Sequence, residues 1–497
     1  MKELPQENQP KKKVFFYIHG GGFMVGAASH FIPGTWVKMY DDVIVVTINY
    51  RLGILGFLSS GDETSLGNYG LWDQVLALRW VQRHIASFGG DPDDVTLSGE
   101  SAGAAAAHIL SISPFGKGLF TKVWTQSGSA TFISRDLSSP LQDVLKFAAT
   151  VGCWSGSTDD SLDVDGIRKV VGCLREKPEE AFVKYVPFNM TSFIFSPRVD
   201  RMLIPNDPKK LLQDQSYLES VCFYDRTYIC GINNNEQSMG DMYIATTKAM
   251  VYANDSMADE EKEKAYKKSL DFMLDVYFEK RGCSKESGKK IVSWYERRGT
   301  FENAVREVIT DMYFQLPTFD FLKAASGPGA RSRPRLLYFD HYPGFLRTSP
   351  SAKGMPHGLD VAYLFDYDIK NLGISLEEPT EKVMRGRELR VKEQFISLTM
   401  ALVKGRFIDE KPEPASRKAD SCNVPDGPSG NQTREPYTSS LNPAGELFKS
   451  HEDLDIWPTW DLKKKTYLSF GDTPFIKAPF QVEKLTFWDK VCPVDDL

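Results

Sequence analysis

The chain has 497 residues, 41% of them hydrophobic and 25% charged, with a formal net charge of −6. That balance belongs to a globular chain with a sizeable core and excludes a disordered one, while the acidic surplus disfavours nucleic acid or an anionic membrane as partner. No apolar run reaches the roughly 20 residues a membrane-spanning helix needs, and the seven cysteines contain no C-x-x-C pair, which excludes the usual zinc patterns, so no metal is expected.

The opening MKELPQENQPKKK has no apolar stretch of signal-peptide type and reads as a polar tail over residues 1–13, with residues 14–497 forming one domain. VFFYI at 14–18 is a strand, and YIHGGGF at 17–23 runs on from it. Successive glycines let backbone N–H groups face a cavity with no side chain in the way, which an oxyanion hole requires; Gly21 and Gly22 are the candidate donors. A second strand follows at VIVVTINY, 43–50. WDQVLALRWVQRHI at 72–85 is a helix with Trp72, Val75, Leu76, Leu78, Arg79 and Val81 as its apolar stripe, stopped by FGGDP.

VTLSGESAGAAAAHIL, residues 95–110, passes from β-formers through a serine between two glycines into four consecutive alanines. G-x-S-x-G alone is a weak signal, arising by chance roughly 0.2 times in a chain of this length. Its position at a strand-to-helix turn is the stronger one, because there Gly99 and Gly103 permit the pinch that presents Ser101 as a nucleophile, with the Ala102 N–H as an oxyanion donor. The plain alternative is a serine that only caps the helix. Further strands are expected at 220–232 and 335–342, charged helices between 255 and 310, and an exposed, mobile excursion over 408–455. Strands alternating with helices predict an α/β fold with a parallel sheet.

Taken together, HGGGFMVGAAS, VVTINYRLGILGFLSSGDE, GNYGLWDQVLALRWVQRHIASFGGDP, SGESAGA, WTQSGSA and MPHGLD resemble the type-B carboxylesterase and cholinesterase family, the early blocks most of all the animal carboxylesterases. The resemblance is dense from residue 14 to about 130, thins to islands as far as about 366, and returns at WPTW and TYLSFG. It implies an α/β-hydrolase fold, a mostly parallel central sheet flanked by helices. It also implies a serine hydrolase that cleaves small-molecule carboxylic esters through a Ser-Glu-His triad and an acyl-enzyme, with no cofactor. The rival reading is a non-catalytic adhesion or ligand-binding relative.

In this fold the triad follows the chain order nucleophile, acid, base. His341 ends the 335–342 strand and His357 lies in the loop KGMPHGLD, which resembles the family's H-G-D/E loop, so His357 is the expected base. Glu236 in GINNNEQ resembles the family's acid segment. The resemblance further implies a buried ion pair between Arg51 and Asp73 and a disulfide between Cys153 and Cys173; Cys222, Cys230, Cys283, Cys422 and Cys492 have no assigned partner. It implies secretion or the ER lumen, with sequons at Asn189, Asn254 and Asn431, although the chain carries no signal peptide or retention signal. Relative to the family, the chain is expected to be shortened ahead of the HGGG strand.

Overall fold

A computed structural model describes residues 9–493 apart from 134–138, 158–161, 184–194, 254–255, 331–332, 347–353, 375, 377, 407–456 and 458. The excursion over 408–455, the three sequons, His451 and Cys422 therefore lie outside the described residues.

Eight strands form one sheet in the order β2-β1-β3-β4-β5-β6-β7-β8. They are β1 Lys12–Ile18, β2 Val43–Thr47, β3 Gly90–Glu100, β4 Lys122–Gln126, β5 Thr227–Asn233, β6 Arg335–Phe339, β7 Tyr467–Phe470 and β8 Phe475–Lys477. Every pairing is parallel except β7 with β8, which closes one edge antiparallel. This is the mostly parallel α/β-hydrolase sheet. A sheet covered by helices on both faces must bury both sides of its strands, so its strands read as unbroken apolar runs. In β1, Val14, Phe16 and Ile18 enter one core cluster while Phe15 and Tyr17 enter the other. The Ala102–Ile112 helix is buried at every residue, and its alanines let it lie close to the sheet.

Several boundaries move from the sequence expectation. β1 begins at Lys12, inside the expected tail. The 220–232 strand starts only at Thr227, because Cys222 adopts φ +57° and Phe223–Asp225 form a 3-10 turn. The Tyr69–His84 helix buries Leu71, Val75, Leu78 and Val81, a clean three-to-four spacing, whereas Leu76 is 65% exposed and Arg79 faces solvent. The strand β4, which overlaps the start of WTQSGSA, and the strands β7 and β8 carried no strand signal strong enough to be read in advance.

The charged region folds as helices Asp259–Arg281, Lys285–Glu296 and Phe301–Thr310, as expected. With the Val482–Val491 helix they enclose an apolar cluster of their own, including Leu270, Ile291, Val308 and Trp488. Cys283 and Cys492 form a disulfide that ties this C-terminal helix to the bundle. Among the described residues no helix is long and apolar enough to cross a membrane.

Candidate active site

The parallel register brings strand ends together. Ile18 pairs with Gly99, Glu100 with Gln126, and Gln126 with Gly231. The residues that follow these strands, His19, Ser101, Ser127 and Asn234, thus share the carboxyl edge of the sheet, where ligands bind in open α/β folds.

Ser101 has φ +55° and ψ −121°. A non-glycine residue held there costs on the order of 1–3 kcal/mol. Two backbone hydrogen bonds hold it, from Ser101 N–H to the Gln126 carbonyl at 2.8 Å and from Ala105 N–H to the Ser101 carbonyl at 3.0 Å. The flanking glycines are sterically required: a Cβ on Gly99 would sit 2.4 Å from the Gly103 carbonyl, and one on Gly103 would sit 2.0 Å from the Ile18 carbonyl oxygen. The side chain makes no capping hydrogen bond to the helix, which removes the capping alternative. Its Oγ lies instead 2.9 Å from His357 Nε2.

His357 Nδ1 lies 2.7 Å from Glu236 Oε2. A carboxylate only accepts, so the ring proton sits on Nδ1 and Nε2 is left to accept from the Ser101 hydroxyl. Glu236 is 1% exposed, and its other oxygen accepts from the Ser127 hydroxyl and from the Asn233 N–H at 2.9 Å. The loop bearing His357 is gripped by the three asparagines that precede Glu236. Asn233 Nδ2 donates to the Pro356 carbonyl at 3.0 Å, Asn234 Oδ1 accepts from Met355 N–H at 2.6 Å, and Asn235 N–H donates to the Met355 carbonyl at 3.2 Å. Ser238 Oγ accepts from the His357 N–H at 2.9 Å. Sequence reasoning missed this clamp, although three consecutive asparagines after a strand are an available signal.

Gly20, Gly21 and Gly22 run beside Ser101. A Cβ on Gly20 would fall 2.5 Å from the Glu100 carboxylate and 3.0 Å from Ser101 Cβ, so only glycine lets this loop lie against the serine. Gly21 and Gly22 adopt φ +104° and +64°, and no acceptor takes their N–H groups among the described residues. Ala102 is the first residue of its helix, where N–H groups have no intrahelical acceptor. Behind the loop, His19 stacks on Tyr50 with ring centroids 4.5 Å apart, and the Tyr50 hydroxyl donates to the His19 carbonyl at 2.9 Å.

A second carboxylate faces the histidine: Glu100 Oε1 is 3.4 Å from His357 Nε2 and has no hydrogen-bond partner among the described residues. Burial pushes Glu100 up to about 8; His357 opposes that rise, and Asp360 and Glu236 add to it. Burial alone would lower His357, but Glu236 and then Glu100 outweigh it and raise the ring to about 9. Asp360, raised to about 6 by burial, accepts from the Gln126 and Asn233 side-chain amides. Phe314 covers the imidazole, with ring centroids 4.5 Å apart. It lies on a π-helical turn, Asp311–Gln315, a device frequent at functional sites. Neither Glu100 nor Phe314 was singled out from sequence.

Arg51 and Asp73 do pair, at 2.7 Å, but the pair is not buried. Their side chains are 51% and 26% exposed. Cys153 and Cys173 form a disulfide. Among the cysteines without an assigned partner, Cys283 and Cys492 are bridged, Cys222 is also disulfide-bonded, and Cys230 is a buried free thiol. His341 is placed away from the serine, with Nε2 2.7 Å from Glu388.

The sequence profile described as the carboxylesterase family matches residues 3–488. The chain is 40% identical over 230 residues to the medium-chain fatty acyl-CoA hydrolase precursor of Anas platyrhynchos, covering 46% of this chain and 38% of that protein. It is 40% identical over 227 residues to human neuroligin-2, covering 46% and 25%. Over 369 residues it is 32% identical to the bile salt-activated lipase of Bos taurus, covering 71% and 58%. The chain thus spans between a quarter and somewhat over half of the length of these relatives.

Proposed function

The chain belongs to the carboxylesterase family, and on that premise we propose that it hydrolyses carboxylic esters through Ser101, His357 and Glu236. The observation that carries the reading is the 2.9 Å approach of Ser101 Oγ to His357 Nε2 from a strained backbone that would otherwise have no reason to persist. Ser101 Oγ attacks the ester carbonyl carbon while His357 Nε2 takes the hydroxyl proton. The carbonyl oxygen becomes an oxyanion held by the N–H groups of Gly21, Gly22 and Ala102. As the intermediate collapses, the carbon–oxygen bond to the alcohol breaks and the imidazolium returns its proton to the leaving alkoxide. Water, deprotonated by His357, then attacks the acyl-enzyme carbonyl; the bond to Ser101 Oγ breaks, the imidazolium returns its proton to that oxygen, and the carboxylic acid is released. Glu236 keeps the ring in the required tautomer and stabilises the imidazolium.

Likeness to a protein named a fatty acyl-CoA hydrolase extends the reading to thioesters, which pass through the same tetrahedral intermediate. The disulfides support an oxidising compartment, secreted or lumenal. A fluorophosphonate probe, which phosphonylates an activated serine, is the direct test. Labelling confined to Ser101, together with turnover of p-nitrophenyl acetate or butyrate, is the expected result. A folded protein that takes up no label would instead be a non-catalytic binding relative.

A further inference from the structure

Apart from the candidate active site, the described residues form a cavity of about 680 Å³. It opens between the Pro208–Gln213 helix, the Leu316–Ala325 helix, residues 460–465 and the C-terminal Val482–Val491 helix. None of its lining residues belongs to the Ser101–His357–Glu236 set. Its size is within the range of about 300–1,000 Å³ typical of small-molecule sites. Leu212, Leu316, Phe319, Trp460 and Leu485 supply an apolar wall. Lys209, Arg281, Lys323 and Lys465 line it as well, set against only two carboxylates, Asp320 and Asp489.

Arg281 is the informative residue. Its side chain is 5% exposed, with one terminal nitrogen 3.4 Å from Asp320, and its Nε has no hydrogen-bond partner among the described residues. A buried guanidinium N–H without an acceptor bears its full desolvation cost, so this cation is left under-compensated beside the cavity. Lys209 Nζ donates to the Arg281 carbonyl at 3.0 Å and so fixes the backbone from which the guanidinium projects. The two carboxylates repel a multiply charged ligand, while the remaining cationic excess over an apolar wall favours a single negative charge on an apolar body.

We propose that this cavity binds an amphiphilic monoanion of the long-chain carboxylate class. The carboxylate pairs with Arg281 and the lysines, and the alkyl chain lies against Leu316, Phe319 and Trp460. The test uses dodecanoate carrying a diazirine near its methyl end, photolysed on the Ser101→Ala protein so that the result is independent of hydrolysis, with the labelled peptides mapped. Expected are adducts within 316–325, 460–465 or 482–491 that excess dodecanoate suppresses. Loss of a charge-assisted hydrogen bond corresponds to about tenfold weaker labelling or more in Arg281→Gln. Lys323→Glu, at an exposed position, should weaken labelling severalfold without changing the melting temperature, and carries the test if Arg281→Gln does not fold. Adducts only around Ser101, labelling of the cavity that neither substitution reduces, or equal labelling by the matching dodecanol probe would each overturn the proposal.

Discussion

Two histidines follow β6, and each meets a buried glutamate at 2.7 Å: His357 with Glu236, and His341 with Glu388. Burial pushes Glu388 up, but hydrogen bonds from His341, the Tyr363 hydroxyl and the Gly344 N–H overcome it and bring the carboxyl down to about 2. That pair is a closed knot. The other ring nitrogen of His341 has no hydrogen bond among the described residues, with Asp472 3.8 Å away, and the side chain is fully buried. In the His357 pair the second ring nitrogen meets Ser101, and the side chain retains 11% exposure. On the proposed mechanism a histidine oriented by a carboxylate is not enough; a hydroxyl on the opposite nitrogen and access for substrate set the His357 pair apart.

The largest expected effect breaks this contrast outright. Ser101→Ala or His357→Ala should lower kcat for p-nitrophenyl butyrate by on the order of 10⁴-fold or more. His341→Ala should leave turnover per folded molecule within about tenfold while lowering the melting temperature, since its buried partner loses a hydrogen bond. If His341→Ala proves the silencing change and His357→Ala the tolerated one, the functions of the two pairs are exchanged. At the acids, Glu236→Gln should cost on the order of 10³–10⁴ in kcat by disturbing the tautomer. Glu388→Gln should cost about 3 kcal/mol of stability, as for a broken buried pair, with activity retained. Urea unfolding and steady-state kinetics on the same preparations separate the two.

A smaller effect concerns Glu100. On the proposed mechanism hydrolysis requires neutral His357, whose pKa is raised to about 9 because Glu236 and Glu100 outweigh burial. Activity should accordingly fall as pH drops through that value. Glu100, held up to about 8 by burial, gives up its proton just below the point at which His357 loses its own, so the two groups titrate together. Glu100→Gln removes a carboxylate that raises the ring, so the rising limb of kcat/KM should move toward acid by up to about one pH unit. A profile that stays in place or moves toward alkali would show that Glu100 does not govern His357. The smallest effect belongs to the exposed pair: Arg51→Ala should cost less than about 1 kcal/mol, as solvent-exposed ion pairs do, in contrast to the loss expected at Glu388.

The setting of Ser101 was legible in the sequence because it is local. Gly99 and Gly103 lie within two residues of the serine, and the Gly99 collision is with the turn itself; the Gly103 collision is with Ile18 at the end of β1, so the motif is local although one of its reasons is tertiary. The glycine run at 20–22 is readable as a compact motif, although the atoms that require Gly20 belong to Glu100 and Ser101; the apolar strands and the charged helical region are readable from local pattern. For Glu236 and His357 the sequence offered a resemblance rather than a derivation, because their approach spans 121 residues and depends on β5 and β6 being neighbours in the sheet.

What tertiary structure alone decided are the contacts between residues with no local signature. Strand order places Glu100 on His357 and the asparagine clamp on the His357 loop; a π-helical turn aims Phe314 at the imidazole. Helix docking joins Cys283 to Cys492 across 209 residues. The Arg51–Asp73 pair marks the limit from the other side, because the resemblance anticipates the pair but not its exposure to solvent. Backbone sterics act over a few residues and so are written in short motifs. Burial, side-chain proximity and the pKa shifts they cause depend on how distant segments pack, and only the folded sheet and its helices determine them.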